Sequence, residues 1–149
     1  MYSDILIPTD GSTVTQTTVD HGIRIATDHD ATVHVIYVVD NRLVMAADDD
    51  EREMVVNRLT AEGRDAIDRV IDRVTDAGLE HTSTIARGIP HREILEYTEE
   101  HDVDLIAIGT HGKSPREKLQ SMGSVTERVV DGATVPVLVV RNVSETTSP

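Results

Sequence analysis

Three glycines and a serine are spaced so that they could wrap an anion: Gly109, Gly112 and the pair Gly123-Ser124. They follow the apolar run Ile106-Ala107-Ile108, and Ser124 leads into Val125 and Thr126, where a helix is expected to begin. Glycine has no Cβ, so backbone N–H groups can approach a phosphate closely. The first turn of a helix adds unpaired N–H groups and partial positive charge. The only two lysines of the chain, Lys113 and Lys118, fall in this stretch together with Arg116. Glycines of this kind also make plain turns in surface loops, and spacing alone leaves that reading open. Gly112-Lys113-Ser114 ends like a P-loop, but the first glycine of that pattern would fall at Ala107, inside the strand.

The rest of the chain argues for binding rather than catalysis. The seven histidines, at 21, 29, 34, 81, 91, 101 and 111, include no pair at zinc-site spacing with a third ligand. There is no Gly-x-Ser-x-Gly elbow, and no nucleophile with a matching base is evident. With no cysteine, disulfides and thiolate metal sites are excluded. Asp10 follows the first strand, where an Asp commonly caps a helix or closes an Asx turn. Near phosphates the same carboxylate could also hold Mg²⁺ indirectly, through the waters that ion keeps.

These residues need strands and helices to place them. Apolar, β-branched runs over 5–8, 33–39, 103–108 and 135–140 read as strands, and 82–86 reads as an exposed or edge strand. Helical periodicity covers 14–27, 54–77, 90–101 and 125–130, with Pro90 in a first turn and Ser124 as a cap. Residues 41–53, carrying Asp48-Asp49-Asp50-Glu51, read as a polar loop. Such alternation predicts one α/β domain over 1–142 with a polar tail over 143–149. Its five strands form an open, mostly parallel, Rossmann-like sheet in order 3-2-1-4-5, with helices on both faces. Ligands of such sheets sit beyond the carboxyl ends of the strands, where the order reverses.

Composition narrows the partners. The 149 residues carry a net charge of −13, which argues against DNA or RNA. Twelve of the fourteen basic residues are Arg, and Phe and Trp are absent. An acidic, Lys-poor surface suits a salty cytoplasm, where screening removes the self-repulsion of the chain. No secretory leader is visible and no apolar run is long enough for a membrane span, so a cytoplasmic location is expected.

The glycine segment resembles the nucleotide-binding motif of the universal stress protein family: Gly, two residues, Gly, nine residues, then Gly with Ser or Thr. Ile5-Leu6-Ile7-Pro8-Thr9-Asp10-Gly11-Ser12, Tyr37-Val38-Val39-Asp40 and Gly88-Ile89-Pro90 resemble that family as well, so the likeness runs from the start of the chain to Val140. One departure is spacing: ten residues, Lys113 to Met122, separate Gly112 from Gly123. The resemblance implies an adenine nucleotide (ATP, ADP or AMP), with or without Mg²⁺, bound by a stress-response regulatory protein. Pro8, Thr9 and Asp10 would then lie beside the nucleotide, and Val38 would meet the adenine through its backbone. Gly109, Thr110, His111, Gly112 and Lys113 would wrap the ribose and phosphates, and Gly123, Ser124, Val125 and Thr126 would cap the phosphates. It also implies a homodimer built on the strand from Val135 to Arg141. A slow ATPase using the same site, and a ligand-free dimeric adaptor, stand as the alternatives.

Overall fold

A computed structural model describes residues 1–12, 15–110 and 124–141. The elements are β1 (Asp4–Pro8), α1 (Thr15–His29), β2 (Thr32–Asp40), α2 (Asn41–Ala46), α3 (Arg52–Asp76), β3 (His81–Gly88), α4 (Pro90–Glu100), β4 (Leu105–Gly109), α5 (Ser124–Gly132) and β5 (Val137–Val140). The strands form one sheet in the order β3-β2-β1-β4-β5, and all four pairings are parallel. This is the order expected from the sequence.

Strand side chains alternate between faces, so each strand feeds two cores. Ile5 and Ile7 of β1, Val33, Val35, Tyr37 and Val39 of β2, and Leu105 and Ala107 of β4 join the core that also takes α1 and α3 residues such as Val19, Ala66 and Val70. Leu6, Ile36, Ile106 and Ile108 point the other way and pack with Ile94, Tyr97 and Val129 of α4 and α5. Two-sided burial explains why these strands read as continuous apolar runs. Among the described residues no helix is long and apolar enough to cross a membrane.

Three local expectations are corrected. Residues 41–53 are not a loop: they hold α2 and a single 3-10 turn at Asp49–Glu51. The Asp40 carboxylate accepts the Arg42 N–H and caps α2, and Val44 is buried beneath it, a tertiary anchor that the polar composition conceals. Pro136 lies just before the last strand rather than within it. It has no N–H to offer, although its carbonyl still accepts the Ile106 N–H at 3.1 Å. Ser124 is the first residue of α5 rather than a residue outside it.

Candidate functional site

β1 and β4 are neighbours, and both point their carboxyl ends to one end of the sheet. Backbone direction shows why they part there. Ser3 O accepts from Thr32, and the Thr9 N–H donates to Ile36 O, so odd-numbered residues of β1 face β2. Asp4 O accepts the Asp104 N–H, so even-numbered residues face β4. The missing N–H of Pro8 therefore falls on the β4 edge. The ladder to β4 runs through Ile5–Leu105 and Leu6–Ile106, while β1 stays paired with β2 as far as Pro8–Ile36. A proline in a central strand is tolerated here because it stands where two strands separate.

The chain then turns sharply. The Gly11 N–H donates to the Thr9 hydroxyl at 3.2 Å, and the Ser12 N–H donates to Asp10 Oδ1 at 2.9 Å, closing an Asx turn. Gly11 has φ +83°, a left-handed conformation that glycine adopts without strain. Thr9 is buried, whereas Asp10 is exposed. From α3, Arg69 donates to Gly11 O and Arg73 donates to Gln16 O, both at 3.2 Å, and Arg73 also pairs with Asp20. These two arginines pin the turn and the start of α1. Below the turn lies a recess of about 110 Å³ between α1 and α3, lined among others by Thr9, Ser12, Gln16, Arg69 and Arg73.

At the end of β4 the Thr126 hydroxyl donates to Gly109 O at 2.6 Å, tying the first turn of α5 to the strand. The Thr110 N–H donates to Val140 O at 3.1 Å, so the chain leaves β4 still paired with β5. Thr110 and Thr126 are buried, Gly109 and Val125 half-buried, and Ser124 exposed. Val38, half-buried near the end of β2, packs against the core on the α4 and α5 side. On the opposite face the Tyr37 phenol is pushed above its ordinary range, first by burial and then by the Glu62 and Asp10 charges.

Of the residues singled out in the sequence, Pro8, Thr9, Asp10, Val38, Gly109, Thr110, Ser124, Val125 and Thr126 come together at the carboxyl end of the sheet. His111, Gly112, Lys113 and Gly123 lie outside the described residues. Sequence reasoning missed Arg69 and Arg73, because nothing in a helical stripe announces which loop its polar side will brace. Among the described residues no group of three His, Asp or Glu side chains is placed to hold a metal ion.

The family model described as "Universal stress protein family" matches residues 1–141. The universal stress protein MJ0531 of Methanocaldococcus jannaschii is 39% identical over 142 residues, covering 95% of this chain and 83% of that one. The solved structure of the hypothetical protein MJ0577 superposes with a TM-score of 0.86 at 32% identity, covering 97% of this chain and 99% of that one. Two more distant structures share the fold: a universal stress protein in complex with cAMP, at 23% identity, and one from Archaeoglobus fulgidus in complex with dAMP, at 18%. Their TM-scores are 0.66 and 0.67, and they cover 95% and 93% of this chain and 98% and 97% of their own.

Proposed function

Because this chain belongs to the universal stress protein family, we propose that it binds an adenine nucleotide at the parting of β1 and β4 and acts as a stress-response regulator. One observation carries the reading: the Pro8–Asp10 segment, Gly109 and the first turn of α5 converge where the β1–β4 ladder stops. Fold relatives in complex with cAMP and dAMP support the ligand class. ATP and AMP are the expected nucleotides.

In this proposal Pro8, Thr9 and Asp10 line one wall, and Val38 meets the adenine through its backbone. Gly109, Thr110, His111, Gly112 and Lys113 wrap the ribose and phosphates, and Gly123, Ser124, Val125 and Thr126 cap the phosphates. The α5 N-terminus contributes N–H groups and partial positive charge. Thr126 holds that turn against Gly109, which fixes the start of α5 beside the end of β4. A Mg²⁺ would take Asp10 through water and draw its other ligands from the phosphates. Residues 1–142 form the functional domain, residues 143–149 a tail. The protein works in a salt-rich cytoplasm as a homodimer through residues Val135 to Arg141, which include β5.

Equilibrium titration with labelled ATP and AMP at high salt tests the reading. Binding should be saturable, and Gly123→Val should abolish it while leaving the thermal transition in place, because a side chain there fills the phosphate space. A parent protein that binds neither nucleotide overturns it. Bound ATP recovered as ADP after purification would favour the slow ATPase instead.

A further inference from the structure

In a chain of net charge −13, cations gather in one place beside the proposed nucleotide site. Register sets Asp40 opposite Gly88 and Val39 opposite Arg87, and the Arg87 Nε–H donates to Asn41 Oδ1 at 3.1 Å. Arg42 follows at once and forms a two-pronged pair with Asp40. His91 and Arg92 stand in the first turn of α4, which starts two residues after β3.

Arg128 joins them from α5. Gly132 of α5 abuts Leu95 of α4: a Cβ at Gly132 would lie 2.7 Å from Leu95 Cδ1. Both helices descend from the carboxyl end of the sheet, so one turn back along each brings Arg128 beside His91. The His91 imidazole is accordingly pushed below its usual range, first by burial and then by the Arg128, Arg92 and Arg42 charges.

The cluster has little internal neutralisation. Among the described residues Arg87, Arg92 and Arg128 form no ion pair, and all three are exposed. Glu93 lies over Gly88, its carboxyl held above the usual range by burial, Glu96 and Glu100. No side chain caps α4, and Pro90 leads its first turn, so the His91 and Arg92 N–H groups face the same space. Asp40 answers Arg42 and Glu93 lies near Gly88, so the charge without an ion-pair partner among the described residues sits on Arg87, Arg92 and Arg128, and an anion among them relieves their mutual repulsion.

We propose that Arg87, His91, Arg92 and Arg128, with Arg42 at the rim, form a second anion subsite that takes a phosphate group next to the nucleotide. The phosphate belongs either to the tail of the bound nucleotide or to separate inorganic polyphosphate. The subsite rests on the nucleotide reading only for its neighbour, not for its own cations.

Inorganic tripolyphosphate is the probe, titrated calorimetrically at moderate ionic strength into the parent and into the Arg92→Gln, Arg128→Gln double variant. The parent should bind it, and the double variant should bind it about tenfold more weakly or worse, given what charge-assisted hydrogen bonds contribute. AMP affinity should stay within about twofold, since AMP leaves the cluster unfilled. Displacement of tripolyphosphate by ATP but not by AMP assigns the subsite to the nucleotide tail. Persistence beside bound ATP assigns it to free polyphosphate. Equal tripolyphosphate affinity in parent and variant, or none in the parent, overturns the subsite. A parent that binds tripolyphosphate but neither AMP nor ATP overturns the nucleotide reading and leaves the subsite standing.

Discussion

At the scale of single residues, the site depends on hydrogen bonds that no ligand supplies. Thr126 is 4% exposed and spends its hydroxyl on Gly109 O. Thr126→Val keeps the shape and removes the donor, leaving a carbonyl poorly satisfied. Stability should drop by about 1–3 kcal/mol in urea titrations, and nucleotide affinity should fall with it. Intact affinity would show that α5 is held to β4 by packing alone. Two phenols set the alkaline limit. Burial raises Tyr37, and burial raises Tyr97, whose hydroxyl bonds His34 Nδ1 at 2.7 Å. Above pH of about 10 the unfolded phenols lose protons that the folded ones keep, so stability, complete below that pH, falls as pH rises through the raised values. Tyr37→Phe should flatten that decline between pH 9 and 11 in denaturant titrations. An unchanged slope would remove Tyr37 from the account.

Among elements, the close approach of helix to sheet rests on glycines of unequal importance. A Cβ at Gly63 of α3 would fall 2.4 Å from Tyr37 Cδ1 and within 2.9 Å of two further ring atoms. The ring is rigid and 4% exposed, so it cannot step aside. At Gly22 of α1 the nearest atom is Ile7 Cδ1 at 2.6 Å, the far end of a flexible side chain. Alanine favours a helix over glycine by about 1 kcal/mol at either position. Gly63→Ala should nevertheless cost about 1–3 kcal/mol through overpacking, while Gly22→Ala should fall close to neutral. Equal effects in chemical denaturation would contradict this division. The braces from Arg69 and Arg73 belong to the same scale, since α3 holds the turn after β1 in addition to covering the sheet.

For the whole molecule, the two sheet edges differ. β3 is long and polar, with Thr82, Ser83 and Thr84 in it, and it manages its edge by composition. β5 is short and apolar. Its even-numbered residues face β4, since Pro136 O and Val140 O accept from Ile106 and Thr110, so Val137, Val139 and Arg141 turn their N–H groups outward. If the homodimer pairs there, Val139→Pro deletes an outward donor and no internal one. Sedimentation should then give a dimer for the parent and a monomer for the variant. A variant that remains dimeric would place the interface elsewhere. The charge of −13 belongs to this scale as well. Screening should raise the melting temperature steadily from low to molar KCl. A flat profile would remove the salt-rich setting.

Strand order and the two-faced core were legible in the chain itself. Alternation of elements admits few topologies, and a strand buried on both faces has a sequence that says so. The turn residues Asp10 and Gly11 were legible too, because each answers a local backbone demand. Helix α2 was not, since it depends on Val44 finding a buried place and on Asp40 finding the Arg42 N–H. Nor were the arginine braces or the cationic cluster. Arg69 meets Gly11 across 58 residues, and the Arg128 charge acts on His91 from a neighbouring helix that packs at Gly132 against Leu95. Local periodicity specifies which face of an element is buried. Which polar side chains then meet is decided by how the packed elements are aligned, and that alignment exists only in the folded chain.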